Sequence, residues 1–185
     1  MKILVAYASR HGATQGIAEH IAETLTQRGM DVTLESVENV GPADRYDGFV
    51  IGSAAYLGGW LGEATAFVRR HHELLSGRPV WLFSSGPTGT EPVDAHGRSQ
   101  LEAAAPKEFA EFGRSIRPRG TRVFFGAYDP DAAPDGLAER FMAGFMRIVP
   151  AARQGLPGGD FRDWADIGAW ADDIARELQP AEVAR

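Results

Sequence analysis

Cysteine is absent from the 185 residues, which removes disulfides, thiol nucleophiles, iron–sulfur clusters and cysteine zinc sites together. Redox chemistry in such a chain must come from a bound cofactor. Positive charge is also short: 19 Lys and Arg stand against 25 Asp and Glu, a formal net charge of −6 with an isoelectric point near 5.4. A general nucleic-acid binder presents a basic face, so no nucleic-acid partner is expected. Long apolar runs are missing too. No stretch reaches the ~18 residues of a membrane span, and Met1–Val5 leads straight into strand-like sequence without a signal-peptide cleavage region. The expectation is a cytoplasmic protein. Apolar residues are plentiful, at 44% of the chain, enough over this length for one domain with its own core. That domain is expected to cover 1–179, with a frayed tail at 180–185.

Four short apolar runs recur, at Ile3–Ala8, Phe49–Ile51, Val80–Phe83 and Val123–Phe125. Continuous apolarity over such lengths suits strands covered on both faces, as in a parallel sheet. A fifth run, Val32–Val37, alternates and suits an edge strand. Between the runs the period becomes helical. Ile17, Ile21 and Leu25 share a face that ends near Gly29; Ala64, Phe67, Val68 and Leu75 share another that ends near Gly77. Leu137, Phe141, Met142, Phe145 and Ile148 mark a third helix, and Trp164 to Leu178 a last one with Asp163 as N-cap. Strand and helix alternate, which implies a parallel sheet with helices on both faces. Residues 91–121, with a helical piece broken at Pro106, and the Pro- and Gly-rich 150–162 stand outside this scheme.

In an open parallel sheet, ligands bind beyond the carboxyl ends of the strands. The first run is followed there by Ser9-Arg10-His11-Gly12-Ala13-Thr14 and then a helix. A glycine, two hydroxyls and successive amides at a helix N-terminus suit a phosphate. The loop is neither a Walker A loop nor a GxGxxG turn, and an ordinary strand–helix turn capped by Ser9 explains it equally well. The second and third runs end in Gly52–Trp60 and Ser84–Thr90, both rich in glycine and small residues. Each alone reads as a surface turn; three such loops on neighbouring strands read as a cradle for a flat ligand.

These features resemble a known family. Ser9-x-x-Gly12-x-Thr14 after the first strand, the Gly-aromatic loop around Ala55 and the small-residue loop around Gly86 are similar to the flavodoxin-like FMN-binding superfamily over nearly the whole chain. Tyr7–Thr14, Ile51–Tyr56, Phe125–Ala127, Glu139–Met142 and Asp163-Trp164 further resemble the bacterial quinone-dependent protoporphyrinogen dehydrogenases built on that fold. The resemblance implies a three-layer α/β/α sandwich. Its sheet has five parallel strands in the order 2-1-3-4-5, with an insertion at 91–121 after the fourth. It also implies one FMN, not FAD. The Ser9 and Thr14 hydroxyls and the amides of Arg10, His11, Gly12, Ala13 and Thr14 would take its phosphate. The backbone of Ser53, Ala54, Ala55, Tyr56, Leu57 and Gly58, with the Tyr56 ring, would flank the isoalloxazine. The backbone of Ser84, Ser85, Gly86, Pro87, Thr88 and Gly89 would reach its pyrimidine edge. A side chain at Gly12 is expected to block the amides from the phosphate.

The chain departs from the family pattern in three places. His11 replaces a usual threonine, Ala55 stands where the dehydrogenases tend to carry arginine, and Glu91–Asp94 begins the insertion with acid. Among single residues, Tyr56 favours flavin contact over a rim role, while Trp60 favours packing over ring contact. Trp81, Trp164 and Trp170 read as packing residues, and His71 and His72 as complements to a helix end. His96, in the insertion, is the one histidine with a claim to the substrate side, and a surface role explains it at least as well. The 141–149 stripe is either a buried helix face or a peripheral contact with the inner face of a membrane.

Three functions remain open: an FMN oxidoreductase passing electrons from an organic substrate such as a porphyrinogen to a quinone, a carrier docking on protein redox partners, and a module without catalysis. The loop at 84–90 lacks the aromatic with which carriers cover the flavin, which favours the enzyme. No metal site, catalytic residue or general base is visible, and a homo-oligomer stays open. Neither Ser53–Gly59 nor Ser84–Thr90 holds an acid, the nearest in sequence being Glu63 and Glu91. The reduced flavin is therefore expected to meet less negative field than in an acid-ringed carrier, unless a segment such as Asp129–Asp135 folds over it.

Overall fold

A computed structural model describes residues 1–88, 93, 99–128 and 158–179. Five parallel strands form its sheet: β1 (Lys2–Ala8), β2 (Asp31–Ser36), β3 (Gly48–Tyr56), β5 (Val80–Ser85) and β6 (Gly120–Phe124). Their spatial order is β2-β1-β3-β5-β6, with a two-residue strand β4 (Gly59–Trp60) folded back antiparallel onto β3. Leaving out β4, this is the expected 2-1-3-4-5 order. β2 lies at the edge and is only half-buried along most of its length, as its mixed composition requires.

The apolar runs are continuous because both faces of the sheet are covered. Leu4, Ala6, Phe49, Ile51, Val80 and Leu82 belong to one core cluster, and the intervening Ile3, Val5, Val50, Trp81 and Phe83 belong to the other. Helices α2 (Gly62–Arg70), α3 (His72–Ser76) and α5 (Lys107–Ser115) cover the first face. Helices α1 (Ala13–Gln27) and α6 (Trp164–Leu178) cover the second. Each fully buried aliphatic or aromatic side chain contributes about 1.5–3 kcal/mol, so these two layers fix the register of every central strand.

The expected single helix over 64–75 is two helices, with His71 at the join donating from Nδ1 to the Phe67 carbonyl at 3.0 Å. The piece broken at Pro106 is α4 (Gln100–Ala103) followed by α5, with Pro106 capping the latter. Asp163 caps α6, accepting from the amides of Ala165 and Asp166. Within the segment 91–121, expected as an insertion after the fourth strand, α5 is the crossover helix between β5 and β6. Its Phe112 and the adjoining Ile116 are 1% and 2% exposed, because a parallel connection needs a helix packed back on the sheet. The helix expected over 137–148, His96, Asp129–Asp135 and the tail 180–185 lie outside the described residues.

Candidate functional site

The carboxyl ends of β1, β3 and β5 lie side by side: Ala8 pairs with Ser53, Ser53 with Ser84, and Ala54 with Ser85. The three loops expected to act together therefore start from one row of the sheet.

The first loop turns into α1 through Gly12, whose φ of +81° is left-handed. Glycine adopts this without strain, whereas an L-residue there is disfavoured by its Cβ. A Cβ at Gly12 would meet nothing within 4 Å. Within the protein itself, the position therefore needs glycine for its backbone conformation and not for room. Ser9 Oγ accepts from the Gly12 amide at 3.1 Å. Arg10 and His11 are exposed, Ala13 is half-buried and Thr14 is fully buried. α1 has no side-chain cap and no acid in its first turn, whereas α2 to α6 each carry an acid there. The positive end of α1 thus meets neither a capping side chain nor an acid of its own first turn.

Thr14 Oγ1 lies 2.7 Å from Ser85 Oγ, tying the first loop to β5. Two hydroxyls carry two hydrogens and this bond uses one, so the pair retains one donor. Ser53 and Ser84 are fully buried and act inward. Ser84 Oγ donates to the Ser53 carbonyl, and Ser53 Oγ accepts from the Leu61 amide. Gly52, one residue earlier, is required for packing: a Cβ there would fall 2.0 Å from the Phe83 ring.

The second loop is a tight hairpin. Tyr56 pairs with Gly59 across Leu57 and Gly58, which both have positive φ, at 51° and 76°; this is the twist that a two-residue hairpin turn prefers. Ala55 is half-buried, and the turn projects Tyr56 at 46% and Leu57 at 99% exposure. Trp60 instead points inward, its ring 5.8 Å from Phe109 and 5.7 Å from Phe112, which makes it a packing residue as expected.

In the third loop, Gly86, Pro87 and Thr88 are half-buried, and Gly89 lies outside the described residues. Thr88 Oγ1 is buried without a hydrogen-bond partner among the described residues. A polar atom left so asks for a ligand.

Two further segments meet this edge, around Gly126 and Arg162, neither of which sequence reasoning placed among the site residues. The Gly126 amide donates to the Pro87 carbonyl, the Phe161 amide to the Gly126 carbonyl, and Arg162 Nη1 to the Ala13 carbonyl at 3.3 Å. With the Thr14–Ser85 bond these contacts form a circuit around the end of the sheet. Arg162 also lies 4.4 Å over the Trp164 ring and pairs with Asp160, whose carboxyl it holds below the usual range by hydrogen bonding, against the opposing effect of burial. No local signal marks Arg162; only the Asp163-Trp164 pair beside it matched the family pattern. Trp164 is thus a rim residue. Trp170 packs on Phe83 and Phe124. Among the described residues no cluster of potential metal ligands occurs, and no helix is long and apolar enough to cross a membrane.

An open parallel sheet covered by helices on both faces, with small-residue loops at its carboxyl edge, defines a doubly wound α/β class of protein. Within that class the chain belongs to the flavodoxin-domain family, whose model matches residues 4–146. The fold is likewise that of oxidised flavodoxin 1 from Bacillus cereus, with a TM-score of 0.57 at 13% identity over 97% of this chain and 100% of that one. Among curated proteins, protoporphyrinogen IX dehydrogenase [quinone] of Escherichia coli (strain K12) is 27% identical over 94 residues, 50% of this chain and 52% of the relative. A triosephosphate isomerase of Alkalilimnicola ehrlichii is 28% identical over 130 residues, 65% of this chain and 48% of its own. A closed eight-stranded βα barrel has no counterpart in this open sheet, so that likeness carries no argument. The chain spans about half the length of these curated relatives.

Proposed function

We propose that the protein binds one FMN at the carboxyl edge of the sheet and acts as an oxidoreductase, passing electrons from an organic donor of porphyrinogen type to a quinone. The observation that carries the flavin reading is the convergence of three loops on one edge around an uncapped, acid-free helix start. The Thr88 hydroxyl, without a hydrogen-bond partner among the described residues, supports the fit. In this reading the free amides of the first turn of α1 and the remaining donor of the Thr14–Ser85 pair hold the phosphate. Ser9 shapes the loop by engaging the Gly12 amide. The backbone of Ala54–Gly58 and the Tyr56 ring flank the isoalloxazine, while Gly86–Gly89 and the Thr88 hydroxyl face its polar edge. Bound FMN supplies the exchange of electrons with the substrate. The protein's part is to bind, orient and tune.

The enzyme reading draws on the quinone-dependent relative and on the lack of an aromatic side chain in 84–88, which leaves one flavin face open to a flat substrate. A carrier reading draws on one observation: the buried Glu108 carboxylate lies against the Gly59–Trp60 backbone, where negative charge disfavours reduction. Turnover of FMN-loaded protein with protoporphyrinogen and a menaquinone analogue tests the choice. Porphyrin formation coupled to quinone reduction is expected. FMN binding without turnover, together with electron exchange with protein partners, would overturn the enzyme reading; absence of FMN binding would overturn both.

A further inference from the structure

The hairpin that carries Tyr56 and Leu57 has little to hold it by itself. Only two residue pairs join β3 to β4, and a lone two-stranded ribbon is marginally stable in water. Its turn also places Leu57, a non-glycine residue, at a φ of 51°. Something outside the hairpin must fix this shape, and the start of α5 meets it twice. The Lys107 amide donates to the Gly58 carbonyl at 3.1 Å. The Trp60 amide donates to Glu108 Oε2 at 3.0 Å. Lys107 is the first residue of α5, so its N–H has no carbonyl within the helix to serve. Glu108 is only 3% exposed, and a glutamate is seldom buried without a specific partner. Behind this pair of bonds the Trp60 ring packs on Phe109 and Phe112 of the same helix. One acceptor and one donor, two residues apart on the hairpin, are thus gripped by a donor and an acceptor adjacent on α5.

We propose that Glu108 and the Lys107 N–H are positioning groups, which brace the Tyr56–Trp60 hairpin and thereby govern how tightly, and at what potential, the flavin is held. The proposal rests on the FMN reading above. It assigns to a segment remote in sequence from all three loops the task of shaping one of them.

Two pairs of variants test it. Lys107→Pro deletes the N–H, while proline suits the first position of a helix; Pro106, at φ −70° and ψ 147°, already has the conformation favoured before proline. Lys107→Ala removes the side chain but keeps the N–H. Glu108→Ala deletes the acceptor, and Glu108→Gln keeps an acceptor oxygen without the charge. Amide exchange at Gly59 and Trp60 is read in cofactor-free protein, FMN affinity by quenching of flavin fluorescence, and the midpoint potential by titration.

Lys107→Pro and Glu108→Ala should raise exchange and weaken FMN by about five- to tenfold each, in keeping with the loss of one buried hydrogen bond. Both should move the potential; Lys107→Ala should stay near wild type in all three readings, and Glu108→Gln near wild type in exchange and affinity, its potential rising only by the loss of the charge. Folded variants that exchange faster but hold FMN as wild type does would reduce the brace to a structural contact and overturn the proposal. A potential that moves in both Glu108 variants but is equal in Lys107→Pro and Lys107→Ala would assign the effect to charge, and overturn it equally. If Glu108→Ala fails to fold, Lys107→Pro against Lys107→Ala decides. Wild-type protein that binds no FMN would instead sink the flavin reading, which the exchange measurement reads separately.

Discussion

Replacing Gly12 separates two reasons a phosphate loop can need glycine. If room were the issue, any side chain would screen the amides and larger ones would do so more. The structure leaves open space where a Cβ would stand and holds the residue at φ +81°, ψ −11°. The penalty set by the protein itself is therefore conformational, roughly 1–2 kcal/mol for an ordinary L-residue in this region. It should be smaller for asparagine, which tolerates left-handed backbone, and larger for β-branched valine. The loop cannot relax freely, because the Gly12 amide bonds Ser9 Oγ and its carbonyl accepts from the Gly16 amide at 2.9 Å.

The penalty must appear either as lost stability, if the strained shape persists, or as lost affinity, if the loop shifts and the amides turn away. Since 1.4 kcal/mol is tenfold, Gly12→Ala should lose about five- to thirtyfold, divided between the folding equilibrium and FMN affinity. Denaturant unfolding of cofactor-free protein and fluorescence titration with FMN measure the two parts. Gly12→Asn should lie nearest wild type, Gly12→Ala next and Gly12→Val last. Asparagine losing as much affinity as valine with stability intact would restore the bulk explanation. Three variants alike to wild type would remove Gly12 from the site.

The remaining predictions concern bonds at the same edge. Thr14→Val should cost about 1–3 kcal/mol by leaving the Ser85 hydroxyl buried without its partner. Thr14→Val/Ser85→Ala should recover much of that stability, yet not FMN affinity; recovery of both in unfolding and titration experiments would show the hydroxyl pair to be structural only. The Arg162 hydrogen bond lowers the Asp160 carboxyl in the folded state, so its stabilising effect is present above the ordinary carboxylate value of about 3.9 and fades as pH falls through the lower folded value. Asp160→Asn should flatten the acid limb of a Tm-against-pH curve below about pH 4, and identical limbs would refute the assignment.

Much of the fold was legible because burial on both faces writes itself into sequence. Runs such as Ile3–Ala8 and Val80–Phe83 are apolar at every step, and their alternate residues do enter opposite core layers. The three loops were legible because glycine and hydroxyl residues gather where a backbone must approach a ligand. Arg162 and Glu108 were not legible. A periodic pattern reports which face of an element is buried, but not which distant polar group will meet which amide. Glu108 sits on a helix with ordinary amphipathic spacing, and its burial follows from the hairpin packing over it, 48 residues away in the chain. The packing role of α5 within the segment 91–121 was hidden for a related reason. Proline and glycine breaks around 91–106 masked the fact that Phe112 and Ile116 repeat at helical spacing on the core side.

The same limit bears on the expected reduction potential. Counting acids along the two flavin-flanking loops finds none, yet the fold sets the Glu108 carboxylate against Gly59 and Trp60. At an effective dielectric of about 20, one carboxylate roughly 10 Å from a developing anion costs about 1.7 kcal/mol, or ~70 mV for one electron. That is enough to separate a quinone-range potential from a lower one. Two features of this site act on the figure in opposite directions. Glu108 lies in the first turn of α5, where the positive end of the helix offsets part of its charge. Burial, by contrast, protects what remains from counterions. A ring of exposed acids loses its influence once the Debye length falls to about 3 Å near 1 M salt, whereas a carboxylate 3% exposed keeps it. The midpoint potential of bound FMN should therefore change little from low to near-molar salt in the wild type. A steep rise with salt would place the governing charges on the surface, and would return the site to the acid-ringed arrangement of a carrier.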